Sequence, residues 1–207
     1  MDSAEFKRFI FSIEIKALEK ALVHGEGESP FVSLIRERIE MLKREARWFH
    51  PLEDRVVKVP SIQSSELLIR NAVADDIDRL QDIRRRSSLS NKGDIDLIAA
   101  HPEWLVWDDA LLPYATVAVH DGKALGFATA LPIEDYLELE DLFTDPDWMR
   151  QGVASALIAD LARRGLRIEV SANRHAKAFY ESAGFVVVGT YQSVGEPQLR
   201  MHLEVSP

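Results

Sequence analysis

The stretch MRQGVASALI, residues 149 to 158, places Arg150, Gln151, Gly152, Val153, Ala154 and Ser155 where an apolar-periodic run begins, just after a strand-like segment and Pro146. The first turn of a helix leaves amide N–H groups unpaired, and together with the helix dipole they form a site for phosphate. Close approach requires small side chains, which Gly152, Ala154 and Ser155 supply, while Arg150 adds a charge that can pair with phosphate oxygens. Just upstream, EDYLELEDLF (134 to 143) brings carboxylates to a strand. Alternation predicts Tyr136, Glu138, Glu140 and Leu142 on one face and Leu137, Leu139, Asp141 and Phe143 on the other. A carboxylate so placed can act as a general base; acidic residues on a sheet face can equally do no more than meet solvent.

Neither of the commoner phosphate loops fits, because the chain has no Gly-Lys-Ser/Thr and no G-x-G-x-x-G following a strand. The pair LEDLFTDPDWMRQGVASALI (139 to 158) and SANRHAKAFYESAGFVVVG (171 to 189) instead resembles the paired motifs of the GNAT superfamily of acetyl-CoA-dependent N-acetyltransferases. The first motif of that family reads Q/R-x-x-G-x-G/A at a helix start. The second reads roughly N-x-x-A-x-x-F-Y-x-x-x-G-F and is matched by Asn173, Ala176, Phe179, Tyr180, Gly184 and Phe185. The resemblance covers about residues 66 to 205. It departs from the pattern at Met149, where Gln or Arg is usual, which removes one side-chain contact with phosphate and leaves the amides in place.

The resemblance implies acetyl-CoA as co-substrate, held by Arg150, Gln151, Gly152, Val153, Ala154 and Ser155, with Asn173 and Tyr180 alongside. Backbone groups of Leu142, Phe143 and Thr144 would pair with the pantetheine arm as a strand would. A lysine-like amine, with a pKa of about 10.4, must lose a proton before it attacks. Glu138 falls where several relatives carry the base, with Glu140 as second choice, and Tyr180 lies where a tyrosine could protonate or orient the leaving thiolate. The implied reaction is direct acetyl transfer to an amine of a small molecule or protein in a ternary complex. The rival reading is a non-catalytic acetyl-CoA-binding module acting through its N-terminal helices.

Composition narrows the field. The absence of cysteine rules out disulfides, thiolate zinc sites and a cysteine-borne acyl intermediate. The six histidines show no metal spacing, so no metal is expected. The net charge of -9 arises entirely beyond residue 60, and an acidic body repels nucleic acid. No apolar run approaches the roughly 18 residues of a membrane span, and the acidic N-terminus does not look like a signal peptide, so a cytoplasmic protein is expected.

These residues need a frame. Val32, Ile35, Ile39, Leu42, Ala46 and Phe49 predict an amphipathic helix starting at the Ser29 cap and Pro30. A preceding helix with stripes through Phe6, Ile10, Ile13, Ala17 and through Phe11, Ile15, Leu18, Leu22 turns at 24 to 30 to make a helical hairpin over 1 to 49. That hairpin has apolar surface to cover, on the rest of the chain or, the favoured outcome, in a homodimer. Residues 50 to 65 read as linker. Residues 66 to 207 read as an α/β (α+β) domain: a mixed, mostly antiparallel sheet of about seven strands with helices on both faces. In it, Trp104, Trp107, Asp108 and Asp109 could meet an ammonium ligand or could simply be packing and solvated residues, and Arg84-Arg85-Arg86 reads as a solvated helix end.

Overall fold

The computed structural model describes residues 15–20, 22, 30–48, 54–59, 66–90, 95–133, 135–192 and 197–205. The chain divides into two compact units, Met1–Pro51 and Leu52–Pro207. In the first, residues 15–20 are helical and α1 spans Pro30–Trp48, with proline at its first position. Val32, Ile35, Ile39 and Leu42 are all buried, as the spacing predicts. Lys43 on α1 lies 3.3 Å from Glu19 on the first helical segment. Phe6, Ile10, Phe11, Ile13 and the turn at 24 to 29 lie outside the described residues.

The second unit is built on one eight-stranded sheet: β1 (Arg55–Lys58), β2 (Glu66–Asn71), β3 (Ala115–His120), β4 (Lys123–Ile133), β5 (Tyr136–Thr144), β6 (Arg167–Ala172), β7 (Val186–Tyr191) and β8 (Gln198–Leu203). The spatial order is β1-β2-β3-β4-β5-β6-β8-β7. Every pairing is antiparallel except β5 with β6. The helices are α2 (Ile77–Ser90), α3 (Ile95–Ala100), α4 (Val153–Ala162) and α5 (Lys177–Ser182). The strand beyond the expected seven is β1, which lies inside the stretch read as linker and pairs with β2 from Arg55↔Ile69 to Lys58↔Glu66. Four mostly exposed residues on a sheet edge carry too little alternation to announce themselves, and an edge strand satisfies only one ladder.

Neighbouring residues of β4 show the two-faced packing. Phe127 joins Leu80 and Ile83 of α2 in a core with Val117 and Val119. The preceding residue, Gly126, faces the other way: a Cβ there would lie 2.8 Å from Val153 of α4 and 2.7 Å from the Phe143 carbonyl oxygen. Only glycine lets the helix approach the strand so closely. The β3–β4 hairpin turns at Asp121 and Gly122, both with positive φ (47° and 73°), the pair of conformations a tight primed turn requires.

Two irregularities in β5 determine which side chains reach the same space. The register against β4 runs Asp141↔Thr129 and then Leu139↔Ala130, so Glu140 is one extra residue, a β-bulge. A one-residue shift exchanges the faces. Glu138, opposite Leu131, therefore shares a face with Asp141, opposite Thr129, and with Phe143, opposite Phe127. The expected grouping of Glu138 with Leu142 is overturned, because unbroken alternation cannot pass through a bulge. In addition, β5 pairs with β6 only from Tyr136↔Arg167 to Glu138↔Glu169. Beyond Glu138, no pairing with β6 continues among the described residues, and a cleft opens along Leu142, Phe143 and Thr144.

Candidate active site

Asp145, just beyond the end of β5, anchors the loop that leads into α4. Its carboxylate is 1% exposed, is ion-paired to Arg79, and receives Arg86 at 2.5 Å and the Asp147 amide at 3.0 Å. Burial alone would raise its pKa, but the hydrogen bonds from Arg79 and Asp147 and the charges of Arg79 and Arg86 bring it below the ordinary carboxylate value. Arg79 and Arg86 are seven residues apart on α2 and so share a helix face. Of the arginine run expected to be solvated, Arg84 and Arg86 thus pair with buried aspartates, and only Arg85, which meets Asp82, fits that expectation.

From this anchor the chain passes through a short 3-10 turn (Pro146–Trp148) and two left-handed residues, Arg150 (φ 60°) and Gly152 (φ 85°), before α4 begins. Gly152 has no room for a side chain, since a Cβ would lie 2.8 Å from Val59. Helical bonding starts with the Ala156 amide donating to the Gly152 carbonyl, and among the described residues none accepts from the amides of residues 150 to 155. They border a cavity of about 480 Å³ whose wall includes Thr144, Arg150, Gly152, Ala154, Ser155 and Tyr180. Val153 also borders it while its side chain is buried, and the Gln151 side chain is tied to the Asp147 carbonyl at 3.1 Å.

Tyr180 comes from α5 and is buried between Phe179 and Phe185, with ring centroids 5.2 Å from each. Burial pushes its pKa well above the usual phenol value, so the hydroxyl stays protonated and able to donate. Asn173 spends its side-chain oxygen on a local cap, accepting from the Ala176 amide at 2.8 Å. Asn173 also lines a larger cavity, about 650 Å³, that shares Leu142 and Met149 with the first.

The two carboxylates differ sharply. Both oxygens of Glu138 receive Arg200, each at 2.6 Å, and Arg200 also reaches Glu169 at 2.6 Å. Those bonds hold the Arg200 guanidinium far above its ordinary pKa. Glu140, on the bulge, lines the same small cavity as Glu138 and Arg200. Partial burial of its carboxyl, then repulsion from Glu138 and Asp141, raise its pKa, against a smaller opposing pull from Arg200 and Arg84. No local pattern points to Arg200 in this role, since it lies on a strand 62 residues from Glu138.

The cluster of tryptophans and aspartates separates. Trp107 is buried in the α2 core, edge-on to Phe127 at 6.1 Å, whereas Trp104 is 37% exposed and stacks on His101 at 4.3 Å. Asp108 caps the following 3-10 turn by accepting from the Ala110 amide. No group of three or more His, Asp or Glu that could hold a metal ion occurs among the described residues, and no helix among them is long and apolar enough to cross a membrane.

Residues 112–187 match the family model described as an acetyltransferase (GNAT) domain. The chain is 39% identical over 72 residues to the uncharacterized N-acetyltransferase YafP of Escherichia coli (strain K12); the match takes in 35% of this chain and 45% of that relative, so the chain spans less than half of the relative's length. The fold is similar to the ribosomal-protein-S18-alanine N-acetyltransferase from Escherichia coli (TM-score 0.51, 22% identity, 68% of this chain and 95% of that one). It is also similar to the PaiA N-acetyltransferase from Thermoplasma acidophilum, solved in complex with coenzyme A (TM-score 0.53, 18% identity, 67% of this chain and 98% of that one). The two motifs, the sheet split at its parallel seam and the family model coincide: residues 112–187, from the end of the turn before β3 into β7, match a GNAT acetyltransferase domain.

Proposed function

We propose that this chain is an N-acetyltransferase that moves acetyl from acetyl-CoA directly to an amine, within a ternary complex. The observation that carries the reading is the row of amides at 150 to 155, without acceptors among the described residues, bordering a cavity that continues along the unpaired edge of β5. A diphosphate satisfies those amides and the positive end of α4. A pantetheine arm fits the edge of Leu142 to Thr144 as an added strand would.

Glu140 is the better base, reversing the order expected from sequence. Glu138 has both oxygens bonded to Arg200, whereas the carboxyl of Glu140 has a raised affinity for a proton and lines the adjoining cavity. Tyr180, kept protonated by burial, would donate a hydrogen bond that stabilises the departing thiolate, which takes its proton from solvent as the amine's proton passes to Glu140. Neither the pairing of the amine with the thioester nor transfer without a covalent intermediate asks for a nucleophilic side chain, and the chain has no cysteine to offer one.

The test is thiol release from acetyl-CoA with a panel of amines, beside calorimetry with coenzyme A. Turnover that falls by about 10²- to 10⁴-fold in Glu140→Gln and in Tyr180→Phe, with coenzyme A affinity retained, is the expected outcome. Binding without turnover across the panel would favour the non-catalytic module instead. No heat on adding coenzyme A would end both readings.

A further inference from the structure

The charge around the larger cavity is divided in an unexpected way. On a chain of net charge -9, the wall of the 650 Å³ cavity contains, among the described residues, no Asp or Glu and a single Lys or Arg, Arg84. The remainder is hydroxyl, amide, imidazole and apolar, including Ser87, Ser88, Asn173, Trp104 and Phe143. The cavity holding Glu138 and Glu140 adjoins it through Gln198, which lines both. The acceptor's path is thus carboxylate-rich at one end and cationic at the other.

Arg84 is pinned as a fixed reading head would be. Its Nε donates to the Trp104 carbonyl at 2.9 Å, its Nη1 donates to Asp141 Oδ1 at 3.0 Å, and its guanidinium carbon lies 5.6 Å from the centroid of the Phe143 ring. No described residue takes Nη2. Asp141 is 6% exposed and is not part of the cavity wall, so it orients the guanidinium from behind without occupying the space in front. A guanidinium held on one edge and open on the other suits a carboxylate or phosphate.

We infer that Arg84 is a specificity-determining residue and that the acceptor is a bipolar small molecule: an amine presented toward Glu140 and, on the same molecule, an anionic group bound by Arg84. The inference rests on the acetyltransferase reading, of which it names the substrate class. Amino acids and aminoalkyl phosphates share this chemistry; simple alkylamines, polyamines and amino-acid amides lack the anion.

The experiment compares each L-amino acid with its amide, and O-phosphoethanolamine with ethanolamine, by thiol release and by calorimetry on the protein saturated with coenzyme A. At least one anionic acceptor should exceed its neutral counterpart by about tenfold or more in kcat/KM or in affinity, and the pair that does so tells carboxylate from phosphate. In Arg84→Met the ratio should fall to near one, with partial recovery in Arg84→Lys. The ratio is the useful quantity, because Arg84 also lowers the proton affinity of Glu140 and its loss would alter both members of a pair alike. Neutral amines matching or exceeding every anionic partner, or an anion preference that survives Arg84→Met, would overturn the inference. Calorimetry decides the matter even if no acceptor turns over, in which case the transfer reading fails separately.

Discussion

At the scale of single residues, the proposed assignment of Glu140 as base makes the pH dependence of the reaction follow from its neighbours. Its carboxyl must be ionised to accept a proton, and burial with the charges of Glu138 and Asp141 raises its pKa. The acid limb of kcat/KM should therefore lie above the ordinary carboxylate range. Glu138→Gln removes one repelling charge and frees Arg200, so both changes act in one direction and the limb should move to lower pH. The same residue has a cost in stability. A carboxylate whose folded pKa is raised destabilises the fold as pH climbs above its unfolded value, so Glu140→Gln should be more resistant to urea than the parent at pH 7 and no more resistant near pH 3. Fluorescence-monitored urea unfolding at the two pH values checks this. Candidate residues of the phosphate loop were legible in sequence because they are contiguous. The partnership of Glu138, Glu169 and Arg200 was not, since it joins three strands whose order no local pattern encodes.

At the scale of elements, the loop before α4 depends on two features. Gly152→Ala would need a left-handed φ of 85° and would bring a Cβ to 2.8 Å from Val59. The backbone term alone is about 1–2 kcal/mol, and relief by shifting the loop would turn away the amides proposed to hold the diphosphate. Calorimetry should show coenzyme A affinity weakened by about tenfold or more. Asp145→Ala removes the buried acceptor of Arg79 and of the Asp147 amide, and a loss of about 1–3 kcal/mol on urea unfolding is expected, less than for a fully buried pair because Arg79 keeps Asp82 and Arg86 keeps Asp147. Because the Asp145 pKa is lowered in the fold, its contribution is present above the unfolded value and fades as pH falls through the folded one. The difference between parent and variant should thus shrink in acid. Part of the frame could be read from sequence: the strand expected within 134 to 143 is β5, and the apolar-periodic run of 149 to 158 opens α4. The bulge could not, because Glu140 leaves the sequence pattern unbroken and only the partner strand reveals the extra residue.

At the scale of the whole molecule, α1 buries Val32, Ile35, Ile39 and Leu42 while leaving Leu34 62% exposed and Met41 36% exposed. Leu34 and Met41, seven residues apart on one helix, add exposed apolar surface to the hairpin for which a homodimer is expected. Sedimentation equilibrium should give twice the chain mass of 23.4 kDa, and Leu34→Glu should shift it toward the single mass. A single mass in the parent would send the N-terminal helices back to an intramolecular role.

The brevity of the β5–β6 seam has one more implication. Three residue pairs, the Arg200 clasp and the contacts of Arg167 with Asp135 and Tyr136 stitch a five-stranded half of the sheet to a three-stranded half. Under tension this is where the weave would tear first, and a molecule lodged along the gap would act as a rivet. Single-molecule pulling should find the rupture force at that fault line rising when the cofactor is present, so that the same opening that admits it also makes it part of the fabric.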